Sequence, residues 1–144
     1  MRGRFLILPT AFMSTAHIVA TVTSALPDVA AIYHFGSHGS ASERRDSDVD
    51  LAILARQPLN PARVWDLKHE LAIKLGKEID LVDLATASTV LQAQVITNGE
   101  RLFCADSGYC DAYEDYVLSA YARFNEERKG ILSDILKRGS VYGG

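Results

Sequence analysis

Apolar and polar positions along the chain fall into two alternating kinds of pattern. Short runs of branched and aromatic residues, Ala30-Ala31-Ile32-Tyr33-His34-Phe35 and Val49 to Ala55, have strand length and end at turn residues such as Gly36-Ser37. Between and around them lie longer segments with helical spacing. Ser14 to Leu26 is small and apolar and closes before Pro27. The clearest helix carries Val64, Leu67, Leu71 and Leu75 at spacings of three and four, with Asn60 as its cap, Pro61 in its first turn and Gly76 as its stop. Ile79 to Leu84 predicts a third strand, Ser88 to Ile96 a helix ending at Asn98-Gly99, and Arg101 to Cys104 a short fourth strand. A final helix is expected from about Cys110 to Leu136, with Tyr113, Val117, Ala120 and Phe124 on one stripe and Gly130 as a point of bending. Strands alternating with helices predict an α+β domain with α/β-like order: a small mixed sheet with helices packed against it.

Composition narrows the class. The chain has 144 residues, 48% of them hydrophobic, enough for one core and too few for a second full-sized domain. One domain over residues 1–144 is expected, with about 1–13 and 139–144 loosely ordered and Met13 an alternative start. The net charge is −3, so no global positive field draws in a nucleic-acid backbone, and direct nucleic-acid binding is not expected. No apolar run approaches the ~18 residues of a membrane span. Two cysteines, Cys104 and Cys110, do not make a disulfide framework; plain thiols in a reducing, cytoplasmic setting are expected.

The chemistry is concentrated between Gly36 and Asp50. Asp48 and Asp50 are two apart at the start of an apolar strand, so their side chains point the same way, roughly 6.6 Å apart along the backbone. Two carboxylates aimed together repel unless a cation lies between them, and hard oxygen ligands suit Mg²⁺. At the other end, a strand closing in Gly36-Ser37 presents backbone N–H groups and a hydroxyl, and glycine lets a phosphate approach closely. Two metal ions require a further carboxylate. Asp80 and Asp83 lie on opposite faces of the third strand; Asp80, near its start, is the favoured candidate, and Asp83 is free to cap the helix that follows.

Gly36-Ser37, ten residues, then Asp48-x-Asp50 resembles the signature of the DNA polymerase β-like nucleotidyltransferase superfamily. With the strand Ile79-Asp80-Leu81-Val82-Asp83, the chain is similar to its minimal nucleotidyltransferase (MNT) branch, and most of all to the MntA-type antitoxins paired with HEPN-domain RNase toxins. The resemblance covers about residues 30 to 105 and implies a nucleotidyltransferase fold with ATP as substrate and Mg²⁺, in two ions, as cofactor. It implies that Gly36 and Ser37 hold the triphosphate, that Asp48, Asp50 and Asp80 ligate metal, and that Asp80 helps deprotonate the attacking hydroxyl. The partner it implies is a cognate HEPN toxin, neutralised when AMP is transferred to one of its tyrosine hydroxyls.

Other residues divide between chemistry and plain structure. Arg44 and Arg45 are nucleotide-site candidates that would clamp phosphate or the acceptor, against a solvated charged loop. His38 lines the same loop, whereas His17, His34 and His69 lack metal-ligand spacing. Tyr109, Tyr113, Tyr116 and Tyr121 suit packing or a partner-binding face, and Trp65 lies off its helix's aliphatic stripe. No Arg is followed five residues later by a His, so the toxin's own R-x4-H motif is absent. Two other functions stay open: a non-catalytic antitoxin acting by direct binding, and a small-molecule nucleotidyltransferase of aminoglycoside type.

Overall fold

A computed structural model of the chain describes residues 10–36 and 49–143, with side chains described over 15–36 and 49–138. The order is α1 (Thr10–Ala25), β1 (Val29–Phe35), β2 (Val49–Ala55), α2 (Pro61–Leu75), β3 (Ile79–Asp83), a 3-10 turn (Leu84–Thr86), α3 (Thr89–Asn98), β4 (Glu100–Cys104) and α4 (Ser107–Gly143). The four strands form one mixed sheet in the order β3-β2-β1-β4. β1 is antiparallel to both β2 and β4, while β2 and β3 are parallel and joined through α2. A parallel pair needs such a crossover.

Alternation along the strands builds a core on each face of the sheet. Leu51, Ile53, Ile32 and Ile79 pack with Ile18 and Val22 of α1, Leu26 just after it, and Leu67 and Leu71 of α2. Ala52, Leu54 and Tyr33 face the other way, toward Leu84, Val95 of α3 and Cys110 of α4. Because both faces of β1 and β2 are covered, these strands read as nearly continuous apolar runs.

Local signals set the helix ends. The Asn60 side chain accepts the Ala62 N–H at 2.9 Å, and Gly76, at φ 67°, donates its N–H to the Ala72 carbonyl. Asp83 accepts the Ala85 N–H at 3.2 Å and so caps the 3-10 turn, and Ser88 accepts the Leu91 N–H at 3.1 Å to start α3.

Three expectations are corrected. α1 begins at Thr10 where a helix was expected from Ser14, and residues 1–9 lie outside the described residues. α4 runs from Ser107 through Gly130 to Gly143, where a helix was expected from about Cys110 to Leu136. A glycine inside a helix costs only ~1 kcal/mol against alanine, so Gly130 weakens α4 without ending it. Finally, Cys104 and Cys110 are not separate thiols. They form a disulfide, with Cα atoms 6.5 Å apart, linking the end of β4 to the first turn of α4. The chain reverses between these elements within six residues, which brings the two sulfurs together.

Candidate active site

β1 ends in Phe35 opposite Asp50 of β2, and Asp50 lies opposite Asp80 of β3 in the parallel register. Parity places Asp50 on the same face as Ala52 and Leu54, and Asp80 on the same face as Val82. The two carboxylates therefore project from one face on neighbouring strands, whose axes lie ~4.8 Å apart. Like charges directly opposite each other weaken a sheet unless something positive lies between them. The pair sits where β2 and β3 begin, at the same end of the sheet as the exit from β1.

Gly36 closes the arrangement. Its φ is 100°, a region that residues with a side chain rarely adopt, and a Cβ there would fall onto the Asp50 carboxylate. Even the Asp50 Cβ is only 3.0 Å from that position. The backbone thus passes directly over Asp50, leaving the turn and the carboxylate to share one space.

The structure brings Gly36, Asp50 and Asp80 together and sends Asp83 to its capping role. Ser37, His38, Arg44, Arg45 and Asp48 lie outside the described residues. Among the described residues no three His, Cys, Asp or Glu side chains converge as a metal cluster. The carboxylates that are described, Asp50 and Asp80, are the hard oxygen donors on one face that a Mg²⁺ ion takes.

Beside the site, a network that runs from the buried Tyr33 ring out to the surface braces β1 against β4 and α4. The Tyr33 hydroxyl donates to Glu114 Oε2 at 2.7 Å, and Arg101 Nη1 donates to the same oxygen at 2.9 Å and to Asp111 Oδ1 at 3.3 Å. Burial and the adjacent Glu114 carboxylate push the Tyr33 hydroxyl well above the usual tyrosine range. On the other flank, α2 lays Trp65, Lys68, His69 and Ala72 along a cavity completed by Glu78, Ile79 and Asp80. Sequence spacing gave no reason to connect Trp65 or His69 to Asp80. The signal available in it was the helical face shared by Trp65, Lys68, His69 and Ala72.

Residues 18–108 match the family described as Polymerase beta, Nucleotidyltransferase, and with the sheet and carboxylates above, the chain belongs to that nucleotidyltransferase family. It is 34% identical over 119 residues to Protein adenylyltransferase MntA of Shewanella oneidensis, covering 83% of this chain and 85% of that one. Two solved structures extend the likeness. One is tri-AMPylated Shewanella oneidensis HEPN toxin in complex with MNT antitoxin: 32% identity, TM-score 0.71, 86% of this chain and 97% of that chain. The other is a toxin–antitoxin structure with AMP-PNP: 34% identity, TM-score 0.73, 85% of this chain and 98% of that chain. No helix among the described residues is long and apolar enough to cross a membrane.

Proposed function

We propose that this chain is an antitoxin nucleotidyltransferase that transfers AMP from ATP to a tyrosine hydroxyl of a cognate HEPN RNase toxin and thereby neutralises it. The observation that carries the reading is the stacking of Gly36 over Asp50 with Asp80 alongside, in a chain similar to an adenylyltransferase and to an antitoxin bound to an AMPylated toxin. The similarity to a toxin–antitoxin structure with AMP-PNP supports ATP as the donor. We place the reaction in the cytoplasm, where ATP is available.

In this reading, Asp50 and Asp80, joined by Asp48, would hold Mg²⁺. An ion held by those carboxylates would supply positive charge to offset that of the triphosphate and the charge that develops on it. The chain's own groups do the rest. The Gly36 turn, with Ser37 after it, receives the phosphates, and Arg44 and Arg45 clamp them. Asp80 takes the proton of the acceptor hydroxyl. The hydroxyl oxygen then bonds to the α-phosphorus, the bond between that phosphorus and the α–β bridging oxygen breaks, and pyrophosphate leaves. Incubating the chain with ATP, Mg²⁺ and its cognate toxin, followed by intact-mass spectrometry of the toxin, tests the reading. AMP adducts on the toxin are expected; an unmodified toxin that is nonetheless silenced would favour inhibition by contact.

A further inference from the structure

Among the described residues β3 is the end strand of the sheet, hydrogen-bonded to β2 alone, and the cavity described above runs along its open side. Its volume is about 500 Å³, within the range of functional binding clefts. One bank is α2, where Trp65, Lys68, His69 and Ala72 recur at i, i+3, i+4 and i+7 and so share a face. The other bank is Glu78, Ile79 and Asp80. Trp65 is 62% exposed, an unusual position for the chain's one tryptophan. It is nevertheless held in place. The Trp65 and His69 rings lie 3.9 Å apart between centroids, and His69 Nδ1 donates to the Trp65 carbonyl at 2.8 Å. A restrained aromatic platform loses little side-chain entropy when something docks on it.

We infer that this cavity seats the hydroxyl-bearing segment of the acceptor protein, with Trp65 and His69 as its docking platform and Asp80 at the point where that segment meets the reaction. The inference rests on the transferase reading above and adds the residues that choose the acceptor. Three observations favour a protein segment over the nucleotide. In the transferase reading the phosphates lie at the Gly36 turn that closes β1, and the cavity lies along the open side of β3, across β2 from that turn. In a displacement at phosphorus the attacking oxygen enters opposite the leaving pyrophosphate, so the acceptor arrives from the β3 side. Two carboxylates, Glu78 and Asp80, line the cavity against the single cation Lys68, a balance that disfavours a polyanion and suits a neutral hydroxyl-bearing segment. Asp80 belongs to both places: it lines the cavity, and its side chain shares the Asp50 face of the sheet. A segment resting on Trp65 and passing round the edge of β3 comes to the face from which Asp80 projects.

Trp65 makes the test direct, because labelling with 5-fluorotryptophan gives a single ¹⁹F resonance. The labelled chain is titrated separately with the unlabelled cognate HEPN toxin and with AMP-PNP plus Mg²⁺. The resonance is expected to move with the toxin and to stay with the nucleotide. Movement with AMP-PNP would make the cavity a nucleobase site and overturn the inference, as would a resonance indifferent to both. In parallel, Trp65→Ala is expected to raise the KM for the toxin on the order of tenfold or more, as for a tryptophan central to an interface, with the KM for ATP unchanged. An unchanged KM for the toxin overturns the inference while leaving the transferase reading intact. If the wild type transfers no AMP at all, the transferase reading fails, and the ¹⁹F titration still decides what the cavity binds.

Discussion

Gly36 and Asp50 occupy a single space: the Cα of one, at φ 100°, faces the carboxylate of the other so closely that a methyl group on Gly36 would overlap it. The site is therefore shaped by a missing side chain as much as by the carboxylates. The β1–β2 pairing enforces the approach, because Phe35 is opposite Asp50 and the next residue has to turn over it.

Gly36→Ala is expected to displace the Asp50 carboxylate and abolish AMP transfer, with a stability loss of about 1–2 kcal/mol from the left-handed backbone. Gly130→Ala is the control. It sits in α4 facing open space, and the same substitution there should stabilise by ~1 kcal/mol without changing transfer. Denaturant unfolding and transfer assays on both variants check the contrast.

Tyr33 and Tyr113 should respond differently to loss of their hydroxyls. Tyr33 donates to Glu114, so Tyr33→Phe is expected to cost about 1 kcal/mol. The Tyr113 hydroxyl is buried without a hydrogen-bond partner among the described residues, so Tyr113→Phe should be neutral or mildly stabilising. Urea unfolding midpoints distinguish the two.

Alkaline pH should expose the same pair. Burial, with the nearby Asp83 charge second, pushes the Tyr113 hydroxyl up to about 12 from its ordinary value of 10.0, and Tyr33 is raised further. A group raised in the folded state keeps its full contribution below its unfolded value and loses it as pH climbs through the folded one. Stability is therefore expected to be insensitive to these hydroxyls below pH 10 and to fall above it. In Tyr113→Phe the fall should be shallower between pH 10 and 12, as measured by thermal unfolding across that range.

The Cys104–Cys110 disulfide closes a short loop, for which chain entropy gives a stabilisation of about 2 kcal/mol. Reduction, or replacement of both cysteines by serine, should lower the melting temperature by several degrees. AMP transfer should be unaffected, since Cys104 lies opposite Ala31 near the start of β1, whereas Asp50 lies opposite Phe35 at its end. Melting curves with and without reductant, beside transfer assays, measure both effects.

Much of this arrangement was legible in the sequence, and the reasons are local. The Asn60 cap, the Gly76 stop and the Leu67–Leu71 stripe are short-range signals, and the helix they predict is the one observed. β2 was readable because both of its faces are buried, and Asp83 because a strand-end aspartate before a turn has few other roles. The partnership of Asp50 with Asp80 was an expectation from their matching places near the starts of their strands, and its register depends on the α2 crossover that sets the two strands in parallel. What stayed hidden depends on contacts between distant residues. Tyr33 and Glu114 are 81 positions apart, and nothing local announces their bond. The C-terminal extension of α4 was missed because Gly139 and Gly143 read as an ending, and the disulfide because two cysteines alone carry no pairing signal.

The central claim is that Asp50 and Asp80 act together on one reaction. It is tested most directly by comparing the wild type with Asp50→Asn and Asp80→Asn in radiolabelled AMP transfer from ATP to the cognate toxin, with toxin RNase activity read in the same samples. Each variant is expected to remain folded, to lose roughly 10²-fold or more in transfer rate, and to leave the RNase active. Variants that silence the toxin as well as the wild type does, with no label on the toxin in any sample, would contradict the account.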